Sequence, residues 1–283
     1  SYMNLNKRQN FAFQQKIWMW RESHSYTFPW RKTRNPYHIF ISEVMLQQTQ
    51  IPRVLVKYPP FLNKFPDIQS LASAPLRAVL AVWSGMGYNR RAQYLKKTAE
   101  KIHTEHGGKL PQDEKTLRAL PGIGPYTARA IRCFAFGICE PFIETNIRRV
   151  IIHEFFPQKE KVPDSEILKI LQCIQPQDSN KQRNWYYALM DYGRDALKDI
   201  PNPNRKSKQY AKQSRFEGSP RYVRAKIISY LLANKKATEE ELFLSLKKDR
   251  HLEDISYEDI TQTCMNLVKE NLIKQSGYFF RIP

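Results

Sequence analysis

Up to about residue 193, apolar side chains recur three and four positions apart, the spacing of one face of a helix. The pattern predicts helices near 6–21, 39–48, 51–64, 75–83, 89–105, 114–119, 126–136, 145–155, 164–173 and 181–193. Breakers punctuate it at Pro29, Pro36, Pro59-Pro60, Gly85, Gly87, Gly107-Gly108 and Pro121-Gly122. No long alternating stretch marks a strand here, so residues 3–193 read as an all-α domain. Between 194 and 218 the periodicity lapses into a polar, proline-punctuated segment with seven basic and three acidic residues. It reads either as a solvated basic linker or as a segment lying along phosphates. Helical spacing returns at 220–234, 238–247 and 256–271, followed by LIKQSGYFFRIP, a short hairpin turning at Ser276-Gly277. Three helices and a terminal hairpin predict a small winged-helix-like domain over 219–283.

Charge sharpens this picture. Lysine and arginine number 46 against 27 acidic residues, a formal charge of +19, which attracts polyanions and above all nucleic acid. Residues 219–283 carry 11 basic and 9 acidic residues, so nearly all of that charge lies before them. The last helix of the tail bears Glu258, Asp259 and Glu270, so this module is expected to pack or to bind a partner, not to read a DNA groove. No apolar run reaches the roughly 18–20 residues that span a bilayer. The polar opening lacks the apolar core of a signal peptide, and four cysteines without CxxC spacing fit a reduced compartment. The expectation is an intracellular, DNA-associated monomer with no membrane contact. Cys133 and Cys139 read as small buried residues, His103 and His106 as solvated surface, and Trp18-Met19-Trp20 as core.

Specific chemistry begins with LPGIGPYTARAI, residues 120–131. Gly122 and Gly124, two apart before a helix start, let the backbone turn at positive φ and approach a ligand closely. The helix that follows aims its free N–H groups and its dipole at an anion, and in a basic chain that anion is a DNA phosphate. Glu43 in ISEVMLQQTQ sits among Ile39, Phe40, Val44 and Leu46. Desolvation there raises its pKa and suits it to general-acid work near neutral pH.

Five stretches in order, WRKTRNPYHIFISEVMLQQTQ (30–50), WSGMGYNRRAQYL (83–95), HGGKLP (106–111), LPGIGPYTARAI and FIETNIRRV (142–150), resemble the endonuclease III superfamily of helix-hairpin-helix DNA glycosylases. The resemblance is to the MutY-type adenine glycosylases above all, and it covers about residues 8–193. It implies a helix-hairpin-helix glycosylase fold and double-stranded DNA with a mismatched or damaged base as partner. It implies that Glu43 protonates the departing base and that Glu144, where the family has Asp, stabilises an oxocarbenium-like sugar with Asn146 orienting the site. Gln47, Gln48 and Tyr88 stand where these enzymes place residues that wedge into the duplex, and Arg31 stands in the base pocket. Lyase-competent relatives carry Lys where this chain has Tyr126, so a monofunctional hydrolase follows.

Three departures qualify the likeness. The stretch after residue 193 lacks the four cysteines of the family's iron–sulfur site, so no cluster or other metal cofactor is expected. Tyr187 replaces the Glu or Gln that commonly contacts adenine, and the usual 8-oxoguanine-reading domain gives way to the winged-helix-like tail. The expected reaction is excision of adenine opposite 8-oxoguanine or guanine. The alternatives are a thymine/uracil glycosylase acting on mispairs with guanine, or a non-catalytic damage-sensing binder.

Overall fold

The computed structural model describes residues 7–283, and these divide into two compact units that interleave along the chain. The first holds the described residues up to Glu43 together with Pro111–Ala119 and Ile123–Lys212; the second holds Val44–Leu110, Leu120–Gly122 and Gln213–Pro283.

In the first unit lie α1 (Lys7–Ser23), most of α2 (Pro36–Leu46), α7 (Glu114–Arg118), α8 (Pro125–Phe136), α9 (Thr145–Phe155), α10 (Asp164–Ile174) and α11 (Ser179–Asp191). Pro36 starts α2 and does not interrupt it, because a proline in the first turn surrenders an N–H that has no helical partner. The Asn35 Oδ1 accepts from the N–H groups of Tyr37 and His38 and closes that end. The core of the unit is aromatic: Phe13 packs edge-on against Phe155 and Trp185, and Phe142 stacks on Tyr186 at 4.4 Å. Trp18 leans on Trp185 and Trp20 stacks on His24, but Met19 is 66% exposed, so only part of that triplet serves the core.

Cys133 and Cys139 are joined in a disulfide, which corrects the reading of two unlinked buried thiols. Gly137 ends α8 in the left-handed conformation, and this turn folds the chain back until the two Cα atoms are 4.2 Å apart. The segment read as a linker is packed as far as Ser207. A π-helical turn over Tyr192–Ala196 continues α11, the buried Asn204 donates to the Thr145 carbonyl, and Val162 bonds to Lys206 and Lys208. Residues 208–218 are exposed.

The second unit contains α3 (Ile51–Lys64), α4 (Ile68–Ser73), α5 (Leu76–Trp83) and α6 (Arg90–Glu105), then α12 (Pro220–Ala233), α13 (Glu239–Lys247) and α14 (Tyr257–Lys269). Pro59 and Pro60 lie inside α3 without breaking it. α4 is an addition to the expected elements; Asp67 and Ser70 form a reciprocal capping box at its start. The expected hairpin is present as β2 (Lys274–Ser276) and β3 (Phe279–Arg281), with Gly277 at φ 62° and Tyr278 between them, so the turn lies one residue later than expected. A third strand, β1 (Ala237–Thr238), pairs antiparallel with β3 to give the order β1-β3-β2. These terminal elements pack on the earlier helices of the unit. Arg77 on α5 donates to the Leu231 and Leu232 carbonyls at the end of α12, and Gln93 on α6 donates to the Glu270 carbonyl.

Candidate active site

Glu43 lies on the face of α2 that is buried with Ile39, Phe40 and Val44, and is itself 2% exposed. The Tyr126 hydroxyl, from the first turn of α8, donates to Glu43 Oε2 at 2.9 Å. Burial pushes the Glu43 carboxyl up to about 7; the Tyr126 bond and Arg31 oppose the shift and Glu144 adds to it. Burial also drives the Tyr126 phenol well above its usual range, so it stays a neutral donor. The outcome is a carboxyl that holds or yields a proton near neutrality, with one oxygen bonded to a neutral phenol.

Glu144 caps α9. Its Oε2 accepts from the N–H groups of Asn146 at 2.9 Å and Ile147 at 3.2 Å, and Oε1 accepts from Asn146 Nδ2 at 3.0 Å. A carboxylate at that place satisfies donors the helix would otherwise leave open and complements its dipole. Burial raises the Glu144 pKa, and the three donors from Asn146 and Ile147 oppose the rise. Burial raises both carboxyl groups, and the donors that oppose the rise are one phenol at Glu43 and the helix N-terminus with Asn146 at Glu144. Such a pair can divide acid and anion roles between them.

Arg31 joins this cluster through the buried Asp191, to which it donates twice at 2.7 Å. Its guanidinium lies 4.4 Å from the centre of the Tyr187 ring, whose other face stacks flat on Phe134 at 4.2 Å. Arg183, bonded to the Phe134, Arg31 and Thr33 carbonyls, flanks the same ring. Asp191, Arg183 and Phe134 were not picked out from the sequence. Asp191 alone carried a signal, a single acid inside the apolar run WYYALMDYG.

The residues expected to distort DNA gather in the second unit. α2 ends at Leu46, and Gln48 follows at φ 58°; Tyr88 sits at φ 46° in the turn shaped by Gly85 and Gly87. Bulky residues at positive φ are strained and persist where the surroundings hold them. Arg91 is the holder. Its buried guanidinium gathers the carbonyls of Val44, Met45 and Gln47, the Thr49 hydroxyl, and the carbonyls of Met86 and Gly87, so one side chain ties both turns. Desolvation lowers its pKa to about 10, still charged at neutral pH. Only the adjacent arginines of YNRRAQ hinted at it.

The hairpin between α7 and α8 has the expected backbone. Gly122 is at φ 75°, and a Cβ there would meet the Cβ of Tyr94 at 2.8 Å. Gly124 precedes α8 in extended conformation with open space around it. The four cysteines do not fit an iron–sulfur cluster: two form the disulfide, Cys264 is buried in α14, and Cys173 is exposed on α10. Among the described residues no group of three or more His, Cys, Asp or Glu is placed to hold a metal, and no helix is long and apolar enough to cross a membrane.

Known proteins align with this arrangement. The adenine DNA glycosylase of Buchnera aphidicola (subsp. Baizongia pistaciae) is 37% identical over 168 residues, covering 59% of this chain and 47% of that protein. The human adenine DNA glycosylase is 38% identical over 149 residues, with coverages of 50% and 27%. The chain thus spans less than half the length of these relatives. Among solved structures, a thermostable thymine-DNA glycosylase superposes with a TM-score of 0.60 at 26% identity, covering 72% of this chain and 93% of that one. A trapped endonuclease III–DNA covalent intermediate superposes with a TM-score of 0.57 at 21% identity, a likeness of fold. The sequence pattern of the HhH-GPD superfamily base excision DNA repair proteins matches residues 41–182, half of the chain and the span that carries Glu43, Tyr126 and Glu144. The chain belongs to the HhH-GPD superfamily of base excision DNA repair proteins.

Proposed function

We propose that this chain is a monofunctional DNA glycosylase that releases adenine mispaired with 8-oxoguanine or guanine from duplex DNA. The observation that carries the reading is the buried Glu43 carboxyl, raised to about 7 and bonded to Tyr126. Adenine is a poor leaving group until a ring nitrogen is protonated, and Glu43 is the group able to protonate it. The N-glycosidic electron pair then leaves with the neutral base, and the sugar becomes an oxocarbenium-like cation. Glu144, fixed by Asn146 and the α9 N-terminus, faces that positive charge as a carboxylate. Water adds to the sugar carbon, and its proton returns to Glu43, as two carboxyl groups share the work in glycoside hydrolysis. Extruding the base costs a few kcal/mol, and Gln47, Gln48 and Tyr88 are the side chains that fill the gap. The +19 charge supports attraction to DNA, and the protein acts as a monomer.

A second reading, release of thymine or uracil opposite guanine, has one observation in its favour. Tyr187 lies between Phe134 and Arg31 and offers no carboxylate or amide to the adenine edge. It is also consistent with the likeness to the thymine-DNA glycosylase. A panel of duplexes pairing A, T, U, hypoxanthine and 8-oxoguanine with each opposite base separates the readings. Adenine release from A:8-oxoguanine or A:G is expected to outpace any pyrimidine. Faster release of thymine or uracil opposite guanine would replace the first reading by the second, and no release from any duplex would make the protein a damage-sensing binder.

Tyr126 makes a separate prediction about the product. A phenol has no amine nitrogen with which to form a Schiff base with the sugar. Single-turnover reactions are expected to yield an intact abasic strand that breaks only on alkali or heat. Borohydride trapping of a protein–DNA adduct in high yield would show another amine acting as nucleophile.

A further inference from the structure

The C-terminal elements reach the Tyr88 turn. Gln213 Nε2 and Arg221 Nη1 both donate to the Tyr88 hydroxyl. Arg221 stands in the first turn of α12 with its guanidinium 5.1 Å from the centre of the Tyr88 ring, and Arg91 approaches the same ring at 5.7 Å. The other Arg221 terminal nitrogen donates to the Ser214 carbonyl at 2.8 Å, which folds the exposed segment back onto the helix start. α12 is not free to drift, because Arg77 grips its last carbonyls and Arg224 on its second turn is paired with Glu270.

A phenol ring that enters a base stack leads with its hydroxyl, and inside the stack it leaves the two protein donors behind. The Gln213 side chain then loses a neutral bond, which water replaces. Arg221 loses its acceptor while remaining a cation next to the point of entry, where the nearest acceptors are the phosphates flanking the opened step. Guanidinium and phosphate form strong charge-assisted hydrogen bonds, stronger than a bond to a neutral phenol. We propose that the start of α12 belongs to the DNA-binding face, with Arg221 passing from the Tyr88 hydroxyl to a backbone phosphate as Tyr88 enters the duplex. The proposal rests on the reading of Tyr88 as an intercalating residue. It gives the C-terminal module a direct part in DNA binding despite its near-neutral charge: Arg221 is a phosphate contact and a positioning residue for Tyr88.

The test is the salt dependence of binding, measured with full-length protein in the Glu43→Gln background and a duplex containing an A:G mispair. Each phosphate contact adds about 0.9 to the slope of log K against log salt concentration. Arg221→Ala is expected to lower the slope by about that amount, with unchanged circular dichroism, and Arg221→Lys to restore it. Lys235→Ala, which removes an exposed charge elsewhere in the same module, should leave the slope unchanged. An Arg221→Ala slope equal to the parent's, or an equal loss with Lys235→Ala, overturns the proposal while the glycosylase reading stands. A parent that fails to bind the duplex at all overturns both.

Discussion

Glu43→Gln is expected to lower single-turnover base release by about 10²–10⁴-fold, the usual contribution of a positioned general acid, while duplex binding stays within a few-fold. Glutamine keeps the shape and still accepts from the Tyr126 hydroxyl, so the loss isolates the proton. The same substitution has a second signature. In the folded protein Glu43 ionises near 7, against 4.5 for an ordinary glutamate, so the unfolded chain gives up this proton first as pH rises. Stability from this group is therefore complete below the ordinary value and is lost as pH climbs from 4.5 through about 7. At 1.36 kcal/mol per unit, the ionised group costs the fold on the order of 3 kcal/mol above that range. Glu43→Gln should be more stable than wild type at pH 8–9 by up to this amount and indistinguishable from it near pH 4. The wild-type rate should fall above about pH 7 as the acid loses its proton. Near wild-type turnover by the mutant would sink the assignment, and equal melting temperatures at both pH values would show that the carboxyl is not desolvated as described.

Gly193→Ala is expected to damage the site by pressing on the backbone that carries it. Gly193 lies in the π-helical continuation of α11, and a Cβ there would lie 2.2 Å from the Asn146 carbonyl oxygen and 3.0 Å from Val150 Cγ2. Both obstacles belong to α9, the helix capped by Glu144, and backbone cannot step aside as a flexible side chain can. Overpacking costs about 1–3 kcal/mol, occasionally more, and this contact belongs at the upper end. Whatever relief the structure finds must move the α9 N-terminus away from α11, and with it Glu144 and Asn146. A displacement near 1 Å can cost roughly a hundredfold in rate. A lower melting temperature together with a loss of about that size in single-turnover rate is expected. A variant as stable and active as wild type would mean that the two helices separate without moving Glu144.

The longer helices were legible in the sequence because they bury one face, and among the described residues thirteen of the fourteen helices fall within a few residues of their expected bounds. α4 escaped because six residues, IQSLAS, are too short to display a period. Pro36 misled for a physical reason: a breaker inside a helix is a good first residue of one. The disulfide was illegible because a spacing of six residues means nothing until Gly137 reverses the chain. Of the site, Glu43 could be read from an acid amid apolar neighbours, and Glu144 and Tyr126 from their motifs. Arg91 could not, since its acceptors come from two turns some forty residues apart that only the fold brings together. Tyr187 stands out in the sequence as a replacement, but its place between an arginine and a phenylalanine ring is a tertiary fact.

The interleaving of the two units bears on how the chain acquires its structure. Gln93 meets Glu270 across 177 residues, and Arg77 meets Leu231 across 154. Contacts so distant in sequence must overcome the entropy of closing long loops before they return any stabilisation, and a high share of them slows folding. During synthesis the second unit stays incomplete until α12 to α14 leave the ribosome, with α5 and α6 waiting for these covering elements through the whole translation of α7 to α11. A chain stopped after residue 193 would therefore lack more than an appendage: the partners of Arg77 and Gln93 would never arrive.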